Sequence, residues 1–121
     1  PEQEFVEAHS FLAIIENKEI PSLKSLKVSK ESYVLGLLDC IGELKRLVLD
    51  NIRKDRLKEA NRIFNVMENL YLVLYPLAMY DKIVKEARRK LDVNRILVED
   101  TRAVITEEIR RNHFIKALAK K

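Results

Sequence analysis

Apolar and polar positions follow one another along this chain with the period of a helix rather than of a strand. Leu57, Ala60, Phe64, Met67, Tyr71 and Leu74 recur at intervals of three and four, the spacing that stacks side chains on one helix face. Val34, Leu37, Ile41, Leu44, Val48 and Ile52 do the same. A seven-residue repeat of Val84, Leu91, Val98 and Ile105 reads as a partial coiled-coil seam. Breakers and caps then divide the chain. Residues 2–17 form a first helix, broken by the segment NKEIPSLKSLKV with its Pro21. Ser29 is a good N-cap for a second helix over about 30–53, with Glu31 favourable in its first turn. Asp55 is expected to cap a third over about 56–75, which Pro76 closes. A fourth runs from about Asp81 to near the C-terminus without Gly or Pro. The pattern predicts an all-α fold, an antiparallel bundle of about four helices with a long last helix. That helix, roughly 45 Å long, outruns a small globule, so part of it is expected to pack on another subunit.

Composition agrees. Two Gly and three Pro in 121 residues are too few for sheets and turns. With 47% apolar and 35% charged residues, the chain is expected to fold as one soluble domain over residues 1–121. No apolar run approaches the ~18 residues of a membrane span, and no signal peptide is legible, so no membrane partner is expected. The lone Cys40 cannot close an internal disulfide. It reads as a packing residue in a reduced, cytoplasmic setting. The net charge of +4 is unevenly spread: residues 1–31 hold six acids and four bases, residues 85–121 eleven bases and six acids. A basic C-terminal helix can attract a polyanion; a merely solvated helix is the alternative.

The acids carry the chemical question. On the second helix, Asp39, Glu43, Arg46, Asp50 and Arg53 form a narrow strip, flanked by Leu35, Leu38, Leu47 and Leu49. Asp39 and Glu43 repel at i,i+4 by a few tenths of a kcal/mol. Both glycines, Gly36 and Gly42, lie about 60° to either side of Asp39, and each costs about 1 kcal/mol against Ala. Close approach by a second helix or a ligand would offset that. Alternatively the strip is a surface on which Arg46 and Arg53 neutralise the acids. On the first helix the expected apolar sector is Ala8, Phe11, Leu12 and Ile15, edged by Phe5 and Ile14, with Glu4 inside it and Glu7 at its margin. Buried charges there need partners or a metal; a place near the helix N-terminus is the other account. If the first two helices pack together, Glu4, Glu7, Asp39 and Glu43 converge. All-oxygen ligands suit Mg²⁺ or Mn²⁺. A di-iron site would want Glu-x-x-His pairs, and neither His9 nor His113 lies three after a Glu. His9 reads as a surface or packing residue. No nucleophilic triad, phosphate loop or CxxC stands out, so a metal with its water would have to supply the chemistry.

The stretches QEFVEAHSF and YVLGLLDCIGELKRLVLDNIRKD, continued by ANRIFNVMENLYLVL and RRKLDVNRILVEDTRAVITEEIRR, resemble the translin superfamily, and in particular its translin-associated factor X (Trax) branch with the archaeal Trax-like ribonucleases. The resemblance covers nearly the whole chain. It implies an all-helical, hollow oligomer and a metal-dependent ribonuclease acting on single-stranded RNA. It implies that Glu4, Glu7, Asp39 and Glu43 are both the catalytic and the metal-binding residues, with Mg²⁺ or Mn²⁺ as cofactor. Translin itself lacks the full quartet and binds nucleic acid without this catalysis. The family usually carries further helices before the Glu-x-x-Glu motif, so residues 1–121 are expected to be the C-terminal part of a longer family chain. Expected partners are single-stranded RNA, single-stranded DNA that is bound and cut poorly, and further subunits in a homo-oligomer or a translin-family hetero-oligomer. Lys45, Arg46, Arg88, Arg89 and Lys90 are the candidate RNA contacts, each with a solvated charge as its alternative, and no aromatic platform lies among them. Two other readings stay open at this point: a non-catalytic nucleic-acid-binding or assembly subunit, and a bare helical oligomerisation domain.

Overall fold

With almost no glycine or proline to interrupt them, the apolar repeats run out as long helices. The computed structural model describes residues 1–80 and 86–120. It contains α1 (Glu2–Ile15), a single turn α2 (Leu23–Leu26), α3 (Lys30–Arg53), α4 (Leu57–Tyr80) and α5 (Ala87–Ala119). No strand occurs among the described residues, and no described helix is long and apolar enough to cross a membrane.

Ser29 opens α3 as expected, its hydroxyl accepting the Ser32 N–H at 3.1 Å. The Ser29 N–H itself donates to Glu2 Oε1 at 3.1 Å, tying the start of α1 to the start of α3. Two expected helix boundaries are corrected. Asp55 does not cap α4. It sits at φ 59, in the left-handed region, and closes α3: its N–H reaches Ile52 O at 3.0 Å while that of Arg56 reaches Asn51 O at 2.8 Å. This is the Schellman arrangement, at a residue whose short polar side chain tolerates left-handed backbone. Pro76 does not end α4, which continues to Tyr80. Proline inside a helix costs about 3 kcal/mol, but Pro76 is exposed, so the carbonyl it leaves unbonded can meet water. Buried Leu74 and Ala78 on either side hold the segment down. The expected start of the last helix at Asp81 and the first seam residue, Val84, lie outside the described residues.

The short link between α3 and α4 makes that pair antiparallel, and α4 also runs against α5, with Glu68 meeting Arg102. The longer connection 16–29 lets α1 run alongside α3 in the same direction: Val6 faces Gly36 while Phe11 lies beside Glu43 and Leu47. The core is centred on α3, where Leu38, Ile41, Leu44 and Val48 are sealed by Ile63 and Met67 of α4 and Leu91 of α5. Leu91, Val98 and Ile105 are 1%, 2% and 3% exposed. The described part of the seam is therefore consumed within the chain, and it is not the face expected to meet another subunit. Polar residues occupy the intervening seam positions. Asn94 donates from Nδ2 to Leu38 O at 2.9 Å, and Thr101 Oγ1 donates to Leu97 O at 2.6 Å.

The buried face of α1 is also a correction. Val6, Ser10, Ala13 and Ile14 are buried, whereas Phe5, Ala8, Leu12 and Ile15 are exposed. Gly36 explains the rotation. A Cβ at Gly36 would stand 2.7 Å from Gln3 O and 2.7 Å from Val6 Cβ, so α1 is seated in a notch that only glycine leaves open. Small Ser10 and Ala13 are buried on the same face, and the Ser10 hydroxyl has no hydrogen-bond partner among the described residues. Gly42 is different: a Cβ there meets only Leu97 Cδ1 at 3.9 Å. Gly36→Ala is accordingly expected to cost about 1–3 kcal/mol through overpacking. Gly42→Ala should gain up to about 1 kcal/mol of helix propensity. Urea unfolding of both variants checks this, and equal shifts would show that α1 is not seated on Gly36.

Candidate functional site

The Gly36 notch sets both the distance and the rotation of α1 on α3. In consequence the i,i+3 pair Glu4 and Glu7 and the i,i+4 pair Asp39 and Glu43 line one open cleft of about 620 Å³, with Gln3 and Phe11 at its edges. Glu4 is exposed and the other three acids are half-buried. Both Asp39 oxygens are engaged. Lys90 Nζ of α5 lies 2.6 Å from Oδ1, and Gln3 Nε2 donates to Oδ2 at 2.5 Å. Glu7 feels both burial and the cluster. Partial burial raises its carboxyl above the ordinary glutamate range, the charges of Asp39, Glu43 and Glu4 raise it further, and Lys90 opposes them.

All-oxygen donors that repel one another have the chemistry of a site for a hard divalent cation. The side chains as they stand are not a ligand sphere: among the described residues no three His, Cys, Asp or Glu groups are close enough together to hold an ion. Glu4, Glu7, Asp39 and Glu43 are the residues that could hold one, with Asp39 Oδ1 available once Lys90 releases it.

The alternative account, a strip neutralised by its own arginines, is only half right. Arg53 pairs with Asp50 at 2.7 Å, and so does Lys54 at 3.0 Å. The counter-ion of Asp39 comes from another helix, 51 residues away in the chain. Of the candidate RNA contacts, Arg89 and Lys90 line a groove of about 300 Å³ that shares Asp39 with the acidic cleft. Arg46 is on the other flank, in a cleft with Glu43 and Asp50. Arg88, exposed, and Lys45, half-buried, line neither the acidic cleft nor these two neighbours.

Sequence reasoning missed Gln3 and Asn94. Asn94 carried a signal, a polar residue three after Leu91 and seven before Thr101, in step with the apolar seam. Gln3 carried none, because its role depends on how α1 docks. Cys40 is buried, and its thiol is pushed up to about 12, first by burial and then by the charges of Glu7 and Glu43. It is a packing group and not a nucleophile. His9 is exposed, its ring against Phe5 with centroids 4.2 Å apart.

The raised Glu7 has a measurable consequence. The folded chain keeps the Glu7 proton over a pH range in which the unfolded chain has already released it. Folding is therefore favoured below that range, and stability falls as pH rises through the region just above 4.5. In EDTA, Glu7→Gln should gain stability on wild type as pH rises from about 4 to 7. Melting temperatures across that range check it, and a pH-independent difference would contradict it.

The Translin family pattern matches this chain over residues 2–101. An uncharacterized protein of Methanocaldococcus jannaschii is 45% identical over 102 residues, which are 84% of this chain and 46% of that protein. Among solved structures, AfC3PO in a duplex RNA complex matches with a TM-score of 0.79 at 31% identity, over 91% of this chain and 58% of that one. The crystal structure of AfC3PO matches with a TM-score of 0.79 at 32% identity. The chain thus spans about half the length of these relatives.

Proposed function

We propose, since the chain belongs to the Translin family, that it is an RNA-binding subunit of a larger assembly. We further propose that it cleaves single-stranded RNA by metal-dependent phosphodiester hydrolysis at Glu4, Glu7, Asp39 and Glu43. One observation carries the reading: two pairs of carboxylates, each a helical turn apart, line the same cleft, where burial first and then the other three charges raise Glu7. RNA as partner is supported by the duplex RNA complex of AfC3PO and by Arg89 and Lys90 beside the cleft. Assembly is supported by α5, whose Phe114, Ile115 and Leu118 are all more than half exposed. Mg²⁺ or Mn²⁺ would be held by the four acids, and when bound it supplies water activation and charge neutralisation for phosphodiester cleavage. The protein's own groups bind and orient. Arg89 holds a backbone phosphate beside the cleft, and Gln3 keeps the Asp39 carboxylate turned to its edge.

A second reading, a non-catalytic nucleic-acid-binding or assembly subunit, is favoured by two observations: Asp39 is already neutralised by Lys90, and no described group of three acids stands ready for an ion. Incubation with labelled single-stranded RNA separates the two. Cutting in Mg²⁺ or Mn²⁺ that stops with EDTA supports the nuclease, and binding without cutting under all these conditions supports the second reading.

A further inference from the structure

We infer that Lys90 is a built-in counter-ion of the acidic cleft, which a divalent cation must displace and which then becomes free to hold a phosphate of the polynucleotide. The inference rests on the proposed metal site and adds to it a coupling between metal and RNA.

Asp39 is common to the acidic cleft and to the basic groove, and Lys90 meets it at that boundary with a 2.6 Å contact. The two side chains are only 24% and 29% exposed, so the pair is screened less than a surface ion pair. The backbone under Lys90 is anchored, because one turn later buried Asn94 bonds across to Leu38 O. Only the flexible lysine stem has to move. Lysine suits such an exchange, because its ammonium is a compact charge that can leave one anionic oxygen for another. The groove can admit that second anion. Gly42 leaves its floor open, with only Leu97 Cδ1 within 4 Å of where a Cβ would stand, and Arg89 lines the same wall.

A cation entering among Glu4, Glu7, Asp39 and Glu43 takes the partner of Lys90 and returns a free positive charge to the groove. A phosphate that holds Lys90 in turn leaves Asp39 open to the cation. Each ligand thereby favours the other, and the coupling is reciprocal.

Mn²⁺ titration by electron paramagnetic resonance tests this, with a single-stranded DNA oligonucleotide as the polyanion. Without oligonucleotide, Lys90→Met should bind Mn²⁺ about three- to tenfold more tightly than wild type, the loss of a competing charge at partial screening. Arg89→Met removes an equal charge from the groove without touching the Asp39 bond, and should change affinity about twofold or less. Lys90→Arg keeps the competing charge and should bind Mn²⁺ no more tightly than wild type. The oligonucleotide should tighten Mn²⁺ binding to wild type and not to Lys90→Met. Lys90→Gln repeats the measurement if the methionine variant does not fold by circular dichroism. Unchanged or weaker Mn²⁺ binding in a folded Lys90 variant, with wild-type binding that Asp39→Asn abolishes, overturns the counter-ion role and leaves the metal site standing. Absence of Mn²⁺ binding to wild type, or binding indifferent to Asp39→Asn, overturns the metal site and the inference together.

Discussion

Asp39→Asn and Glu7→Gln are each expected to lower cleavage of single-stranded RNA in Mg²⁺ or Mn²⁺ by about three orders of magnitude, roughly 4 kcal/mol of transition-state stabilisation. Each change removes one negative charge from a set of four acids that line one cleft. Asp39 is the acid fixed from both sides by Lys90 and Gln3. Glu7 is raised by its partial burial and then by the charges of the other three. RNA binding should survive, because neither change touches Arg89, and losing a negative charge beside a phosphate path weakens repulsion. A nuclease that merely unfolded would lose both properties, so cleavage and binding are measured on the same preparation. Full cleavage by the Glu7→Gln, Asp39→Asn double variant would remove these residues from the chemistry.

Leu91→Ala is expected to cost about 2–5 kcal/mol of folding stability, the range for emptying a buried leucine site. Leu91 is 1% exposed and sits in the core shared by α3, α4 and α5. Ile96→Ala, on the same helix but 53% exposed, should change stability by no more than about 0.5 kcal/mol in the separated chain. Urea unfolding compares the two. The pair also reports on assembly. If Ile96→Ala lowers the mass found by light scattering while leaving the unfolding of the separated chain unchanged, the outer face of α5 is where subunits meet. A harmless Leu91→Ala would contradict the packing of α5 against α3 and α4.

The candidate site was legible in unequal parts. Glu4 with Glu7 and Asp39 with Glu43 announce themselves by spacing, since residues three or four apart share a helix face whatever the helix packs against. The basic groove did not. It depends on which turn of α5 comes to rest against which turn of α3, and that is set by Asn94 reaching Leu38 O. The arginines nearest Asp39 in sequence were therefore the wrong counter-ions to name. The same holds for α1. Apolar residues occupy most of its circumference, so periodicity could not say which side is buried, and the Gly36 notch decided it.

What the sequence by itself determined is the four long helices, though not the single turn α2, because helix period, capping by Ser29 and scarcity of glycine and proline act over a few residues at a time. It determined most of the buried faces of α3 and α4 as well, where the apolar repeat marks the core side, although α4 also exposes Leu72 and Val73 and α3 buries Asn51. Two local signals were overridden. Asp55 ended α3 instead of starting α4, because the left-handed link between them needs a residue that accepts positive φ. Pro76 stayed inside α4, because the burial of Leu74 and Ala78 outweighs one missing hydrogen bond. Only the tertiary structure decided the rotation of α1, the use of the α5 seam inside the chain and the pairing of Lys90 with Asp39. Each of these is a contact between residues far apart in sequence, governed by shape and charge across a helix interface, and no period along a single helix encodes it.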